Sequence, residues 1–516
     1  MATEKIILSE RSHPLYDKYE SQWDMYYNAA RGGDSFITQD NLSSHRLEDP
    51  EDYDERLRRG YFLNFCDTIP KIYNAFIFKE RIERPPDTEL DLFRNNTDRR
   101  GTSISDFVKK AGYWASVFGV IHALIDMPTS SKKVISKRQE KDMGLYPYAT
   151  LFFPTQIKDW SIDKSGMLRW IIIETPYFND LDPNKEREDT VHYRLITTTE
   201  WRIEDEDGLP VKFDDGSPNK GKNELGAVPL VTMYGNSGYL EDMIGESLIK
   251  DIVYINKAIL NYCSCIDEQI ERQTFSQLTV PDDGTLAEEQ ERGDDPLHKL
   301  GTSTIWTYAA DAKNPPAFIS PNTDNIKTIW GVTLDLVKEI YRLAGLQGGT
   351  SDLYTSRSGR QSQMSFVGVN SSLAEKSNSY QQFENGLCKM AYMQLGKNVD
   401  VYKNVKYPNS FDVIALETEI KSSFDVMERN FSPTLNKVLM KNIARRVASS
   451  SPPDIRETIE GEIESGDGIV ETISKSSFSG SGGGGVGNPN SNQTDSFENF
   501  SGVDEKKVGH RPPKKY

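Results

Sequence analysis

The 516-residue sequence predicts an α+β fold, mainly helical, in which long amphipathic helices carry a β meander and a smaller β insert. Three observations lead there. Apolar residues recur at three- and four-residue steps along several long segments, the spacing that gathers them on one helix face. Between Tyr148 and Tyr234 the pattern changes to short β-branched and aromatic runs separated by turn residues. Further strand-like pieces then lie between two more helical segments, so the order is helix, small β insert, helix.

Residues 13–31 read as an amphipathic helix stopped by Gly32-Gly33. From Asp49 to Phe78, a long helical zone carries Phe62, Phe65, Ile69, Ile72 and Phe76 on one face. Pro70 lies within it and should kink or split it. Residues 102–127 look like another buried helix, with Ser103 or Ser105 as N-cap. TLFF, LRWIIIE, TVHYRLIT and AVPLVTMY then form the expected antiparallel meander, with Asp-Gly, Ser-Gly and Pro-Asn turns between them. A helix is expected over 241–273, striped by Leu248, Ile252, Ile255, Ile259, Tyr262, Ile266 and Ile270. The insert 274–322 contains SQLTV, TSTIWTY and AFIS, and a helix over 323–344 ends at Gly345. Residues 346–362, rich in Gly and Ser, should be a loop. A third long helix follows over about 363–395, then a short strand around 403–414 and helices over 414–448 and 454–464. The Gly/Ser/Asn-rich tail 476–516 has little with which to build a core.

Length alone suggests about three structural units. Lys+Arg 61 against Asp+Glu 78 gives a net charge of −17, which excludes a generally basic protein that coats nucleic acid. Any contact with DNA must be local, or must allow slippage. The mean hydropathy is −0.60, and the longest apolar stretch, Trp114 to Ile125, is interrupted by His122 and too short to span a bilayer. Met-Ala-Thr-Glu-Lys carries no signal pattern, so synthesis in a cytosol-like compartment is expected. Four cysteines are too few for a disulfide framework.

Catalytic patterns are mostly eliminated. Gly216 to Asn223 (GSPNKGKN) approaches a P-loop, but Asn223 stands where a Mg²⁺-ligating Ser or Thr is needed. Asp214-Asp215 precede it and a strand-like run follows, so a hairpin turn is the simpler reading; a nucleotide-binding enzyme using Lys222 is the alternative function. The six histidines fall in no metal-ligand spacing, and Cys263 and Cys265 point to different sides of a helix. No GxSxG elbow occurs, and no cofactor or metal is expected.

The stretch ELGAVPLVTMYGNSGYLEDMIGESLIKDIVYINKAI joins a Gly-x-Val-Pro strand, a polar connection and a Gly-Glu-Ser start to a long amphipathic helix. Taken in order with DERLRRGYFLNFCDTIPKIYNAFIFKERIERP and GTSISDFVKKAGYWASVFGVIHALIDMP, it resembles the portal (head–tail connector) proteins of tailed bacteriophages over about residues 10–450. The resemblance implies a non-enzymatic ring, twelve-fold in the virion, at one capsid vertex. Double-stranded DNA would pass through its channel during packaging and ejection. Implied partners are the terminase large subunit, a head–tail adaptor, and the major capsid and scaffolding proteins, with no membrane. Residues 1–240 would form most of a wing, 241–273 and 323–345 the two stem helices, and 274–322 the clip. Residues 346–362 would be the tunnel loop and 363–396 a wing/crown helix, with 397–475 as crown and 476–516 as tail.

On that reading the DNA channel and tunnel loop involve Ser356, Arg357, Ser358 and Arg360, and the stem's channel face Lys327 and Lys338; each cation is equally readable as solvated surface charge. Asp282 through Lys299, including Asp283, Glu288 and Glu289, holds seven acidic and two basic residues. That run is either a solubility feature or a clip surface for basic partner segments. Twelve chains would carry roughly −200 charges, a field that repels a duplex rather than gripping it.

Overall fold

The computed structural model describes residues 6–46, 48–79, 81–128, 139, 143–179, 188–213, 217–235, 239–274, 277–282, 305–309, 317–319, 324–346, 359–409, 411, 423–427, 429, 432–447 and 453–465. It is mixed α+β and about half helical. The chain divides into two compact units, Met1–Val413 and Ile414–Tyr516, where length alone suggested about three.

Helix α1 (Pro14–Arg31) begins with Pro14 in its first turn and ends at Gly32, as its composition dictates, and buries Tyr16, Trp23 and Tyr26. The helical zone that follows is two helices, α2 (Pro50–Arg59) and α3 (Phe65–Ile77). Its break lies at Gly60–Asn64, while Pro70 sits inside a continuous α3. Asn64 fixes the restart: its side chain accepts from Asp67 N (2.9 Å) and donates to Ala30 O (3.0 Å). A short α4 (Asp91–Asn95) leads to α5 (Ile104–Phe118), which Ser103 caps by accepting from Asp106 N at 3.2 Å.

The helix expected to reach residue 127 stops at Gly119. Gly119 is left-handed (φ +89°), and a Cβ there would lie 2.3 Å from Gly245 O, so only glycine allows the chain to turn. Strand β1 (Val120–Asp126) follows, and its residues 120–125 are all buried. A strand buried on both faces gives an unbroken apolar run without alternation, which reads equally as buried helix.

The meander region divides between two sheets. β2 (Tyr148–Phe152) and β8 (Leu230–Tyr234) flank β1 antiparallel. Between them in sequence run β3 (Ile157–Ile162), β4 (Leu168–Asn179), β5 (Glu188–Thr197), β6 (Glu200–Glu204) and β7 (Lys220–Lys222), paired in sequential order. Ile171 and Ile173 turn to the main core, while Ile172 faces the other way and packs with Tyr193 and Leu8. A small pair, β9 (Tyr239–Glu241) and β10 (Ile244–Gly245), occupies the start of the helix expected over 241–273. That helix, α6 (Ile252–Thr274), starts at Ile252.

The insert forms one sheet in which central β11 (Gln277–Asp282) pairs parallel with β12 (Ile305–Ala309) and antiparallel with β13 (Ala317–Ile319). Helix α7 (Asp324–Leu343) follows and ends at left-handed Gly345. Helix α8 (Gly359–Gln394) takes in 359–362, the last residues of the expected loop. Of the strand expected over 403–414, the described residues 403–409 and 411 show one bridge, Lys406 with Glu83, and the rest lies outside the described residues. The neighbouring backbone groups are taken by α8 side chains. Asn385 Oδ1 accepts from Val405 N (2.8 Å), and Gln381 Oε1 from Tyr407 N (2.9 Å). The second unit contains α9 (Pro433–Val447) and α10 (Pro453–Ser465), joined by a hydrogen bond from Lys437 Nζ to Glu464 O at 2.9 Å. The expected tail 476–516 lies outside the described residues.

Candidate functional site

The segment α6–β11–β12–β13–α7 has the helix–sheet–helix order expected of it, and its two helices pack on one another. Helix α6 is fastened to the body by polar side chains. Asn256, fully buried, accepts from Phe65 N (3.0 Å) and donates to Leu63 O (2.8 Å). Arg56 donates to Ser264 Oγ at 3.0 Å and Arg59 pairs with Glu268 at 2.7 Å. Cys263 is buried and Cys265 exposed, on different sides of the helix as the two-residue spacing requires.

Helix α7 is attached more sparsely. At about 100° per residue, Ile326, Ile329, Thr333, Val337, Ile340 and Ala344 form one buried or half-buried stripe, and Leu336, Glu339 and Tyr341 beside it are half-buried as well. Asp324, Lys327, Gly331, Asp335, Lys338 and Arg342 form the opposite stripe and are all exposed. On the two flanks between them stand Trp330 (43 % exposed) with Leu334 (44 %), and Val332 (45 %) with Leu343 (38 %). Tyr254 (61 %) and Tyr262 (39 %) on α6 are exposed as well. A polar outer stripe between apolar flanks suits a helix with protein on both sides and water in front.

Lys327 and Lys338 share that polar stripe. Lys338 pairs with Asp335 at 2.7 Å, whereas Lys327 has no ion pair among the described residues. Arg360 is the second residue of α8, in helix rather than loop, and its side chain falls outside the description. Asp282 ends strand β11. Ser356, Arg357, Ser358, Asp283, Glu288 and Glu289 lie outside the described residues. Sequence reasoning missed the apolar flanks of α7, since Trp330 and Val332 pass for core residues in any apolar pattern. The signal was available in their spacing, which puts them off the buried stripe.

The described part of the near-P-loop, residues 217–223, has hairpin geometry, and Gly216 lies outside the described residues. Lys220–Lys222 is the edge strand β7, with Gly221 opposite Trp201 of β6. Asn223 donates to Thr197 O (2.7 Å) and Ala227 O (2.9 Å), closing a turn into β8 rather than opening a helix. Among the described residues, no group of three His, Cys, Asp or Glu is placed to hold a metal ion. His122 is buried in β1 beside Thr232 Oγ1 (3.0 Å), and burial pushes its imidazole down to about 3, so it stays neutral. No described helix is long and apolar enough to cross a membrane.

No family model matches the chain, and no curated protein shows significant sequence similarity to it.

Proposed function

We propose that the chain is a portal protein: a non-enzymatic ring at a capsid vertex that conducts double-stranded DNA and carries the packaging motor and the head–tail adaptor. The observation that carries the reading is α7. One stripe, with Leu336 and Tyr341 beside it, binds its own chain, the opposite stripe is polar, and exposed apolar side chains stand on both flanks, Trp330 with Leu334 and Val332 with Leu343. Repeating such a helix around an axis covers each pair of flanks with neighbours and turns the polar stripes inward, as a heterologous contact that closes on itself does. In this reading α6 and α7 are the stem, the β11–β13 sheet is the clip, and Lys327 and Lys338 face the channel. The net charge of −17 per chain suits a pore that must let a duplex slide.

Native mass with negative-stain imaging of the same fraction tests it. The expected particle is a ring with a central hole near 0.7 MDa, about twelve copies of a 58.5 kDa chain. A monomer that persists at high concentration overturns assembly by this chain alone. Nucleotide binding lost on Lys222→Ala would replace the portal reading with the enzymatic alternative.

A further inference from the structure

A cavity of about 200 Å³ lies under the C-terminal end of α7, lined by Tyr73, Leu248, Leu343, Ser372, Glu375 and Lys376. Lys376 comes from the middle of α8 and is 3 % exposed. Its Nζ donates to Gly235 O (2.8 Å), just past β8, and stands 5.3 Å from the centre of the Tyr73 ring. The Tyr73 hydroxyl in turn donates to Ala344 O at 2.5 Å, holding the last carbonyls of α7. One lysine thus touches both the sheet and the tyrosine that fastens α7 to the body.

We propose that protonation of Lys376 loosens the joint between the end of α7 and α8, making the attachment of α7 dependent on pH. A buried ammonium must be solvated, and the neighbouring cavity has room for several waters at about 30 Å³ each. Water drawn in beside Lys376 competes for the Tyr73 hydroxyl and for the Ala344 carbonyl. Among the described residues, the one other charged group acting on Lys376 is Glu375, on its own helix. From α3 it faces the Tyr73 phenol, and the 246–250 turn and the end of α7 contribute Leu248, Leu343 and the backbone of Ala344 and Gly345 to the same cavity. Cation–π attraction to Tyr73 and the charge of Glu375 favour the ammonium, but desolvation outweighs them and pushes the amine down to about 7. Stability therefore rises with pH from about 7 toward the ordinary lysine value of 10.5, because the unfolded chain binds the extra proton over that range.

Hydrogen exchange of the Ala344, Gly345 and Leu346 amides tests this. They donate to Ile340, Arg342 and Tyr341 carbonyls and close the end of α7. After correction for intrinsic chemistry, the full chain should exchange these amides about tenfold faster at pH 6 than at pH 9, and Lys376→Met should abolish the difference. Equal protection at both pH values, or an undiminished difference in Lys376→Met, overturns the proposal. If that variant does not fold, pulsed acylation of Lys376 in the wild-type chain decides. Its midpoint should coincide with that of the exchange transition, and separation by more than about one pH unit overturns the link. The inference concerns a single chain, so it stands or falls independently of ring assembly.

Discussion

Around the middle of α8, a fully buried Glu384 accepts from Arg84 Nε (2.6 Å) and Nη2 (2.9 Å), and from the Tyr407 hydroxyl (2.5 Å). Asn385 beside it binds Tyr402 and both backbone groups of Val405. Along α7, by contrast, the charged pairs are exposed and between helix neighbours, Lys338 with Asp335 and Arg342 with Glu339, and large apolar side chains face solvent. One region closes its polar chemistry inside the chain, while the other leaves apolar surface for something outside to cover. Polar satisfaction of this kind favours a stable α8 region, and on the proposed reading α7 is left to serve association.

The most damaging way to break that contrast is at the buried ion pair. Arg84→Ala leaves a desolvated carboxylate with only Tyr407 as partner and should cost about 3–5 kcal/mol in denaturant unfolding. A loss below about 1 kcal/mol would mean that the α8 region relaxes around the charge, and that the two regions are alike after all. Next is Gly112→Ala in α5. The added Cβ would fall 2.0 Å from Cζ of Tyr380, a fully buried ring whose hydroxyl donates to Asn74 Oδ1. Overpacking of this kind should cost about 1–3 kcal/mol, read from the same unfolding curves.

A smaller effect is expected at Glu48. Its hydrogen bonds from Arg56, at 2.7 and 2.8 Å, hold the carboxyl below its ordinary 4.5. The folded chain thus gains stability above pH 4.5 that is lost as pH falls through the lowered value. Between pH 5 and pH 3 the wild-type stability should fall more steeply than that of Glu48→Gln. Identical slopes would remove Glu48 from the acid response.

What could be read in the sequence divides along physical lines. Amphipathic helices with clear stops were legible, such as α1 before Gly32-Gly33 and α7 before Gly345, because period and cap agree. The helix–sheet–helix order was legible for the same reason. β1 was not, since a strand covered on both faces loses the alternation that betrays it. Nor was the segment near Val405, whose backbone partners are side chains more than fifteen residues away in sequence. Of the candidate site, Lys327 and Lys338 were named through the resemblance alone, and the structure puts them on one exposed stripe, eleven residues or about three turns apart. Lys376 was invisible: in sequence it is one more polar residue in a helix, and only the fold buries it.

The smallest change in stability should accompany the largest change in association. Trp330→Ser with Val332→Ser replaces two side chains on opposite flanks of α7, each more than two-fifths exposed in the single chain. Both stand off the buried stripe, so unfolding of the isolated chain should shift by no more than about 0.5 kcal/mol. Ring assembly, read as native mass, should fail, because a heterologous ring uses both flanks of every subunit and each interface loses an apolar anchor. If assembly survives while stability also holds, these flanks are ordinary exposed surface. Stability that falls by several kcal/mol would instead mean that α7 is packed within its own chain, and the contrast with α8 disappears.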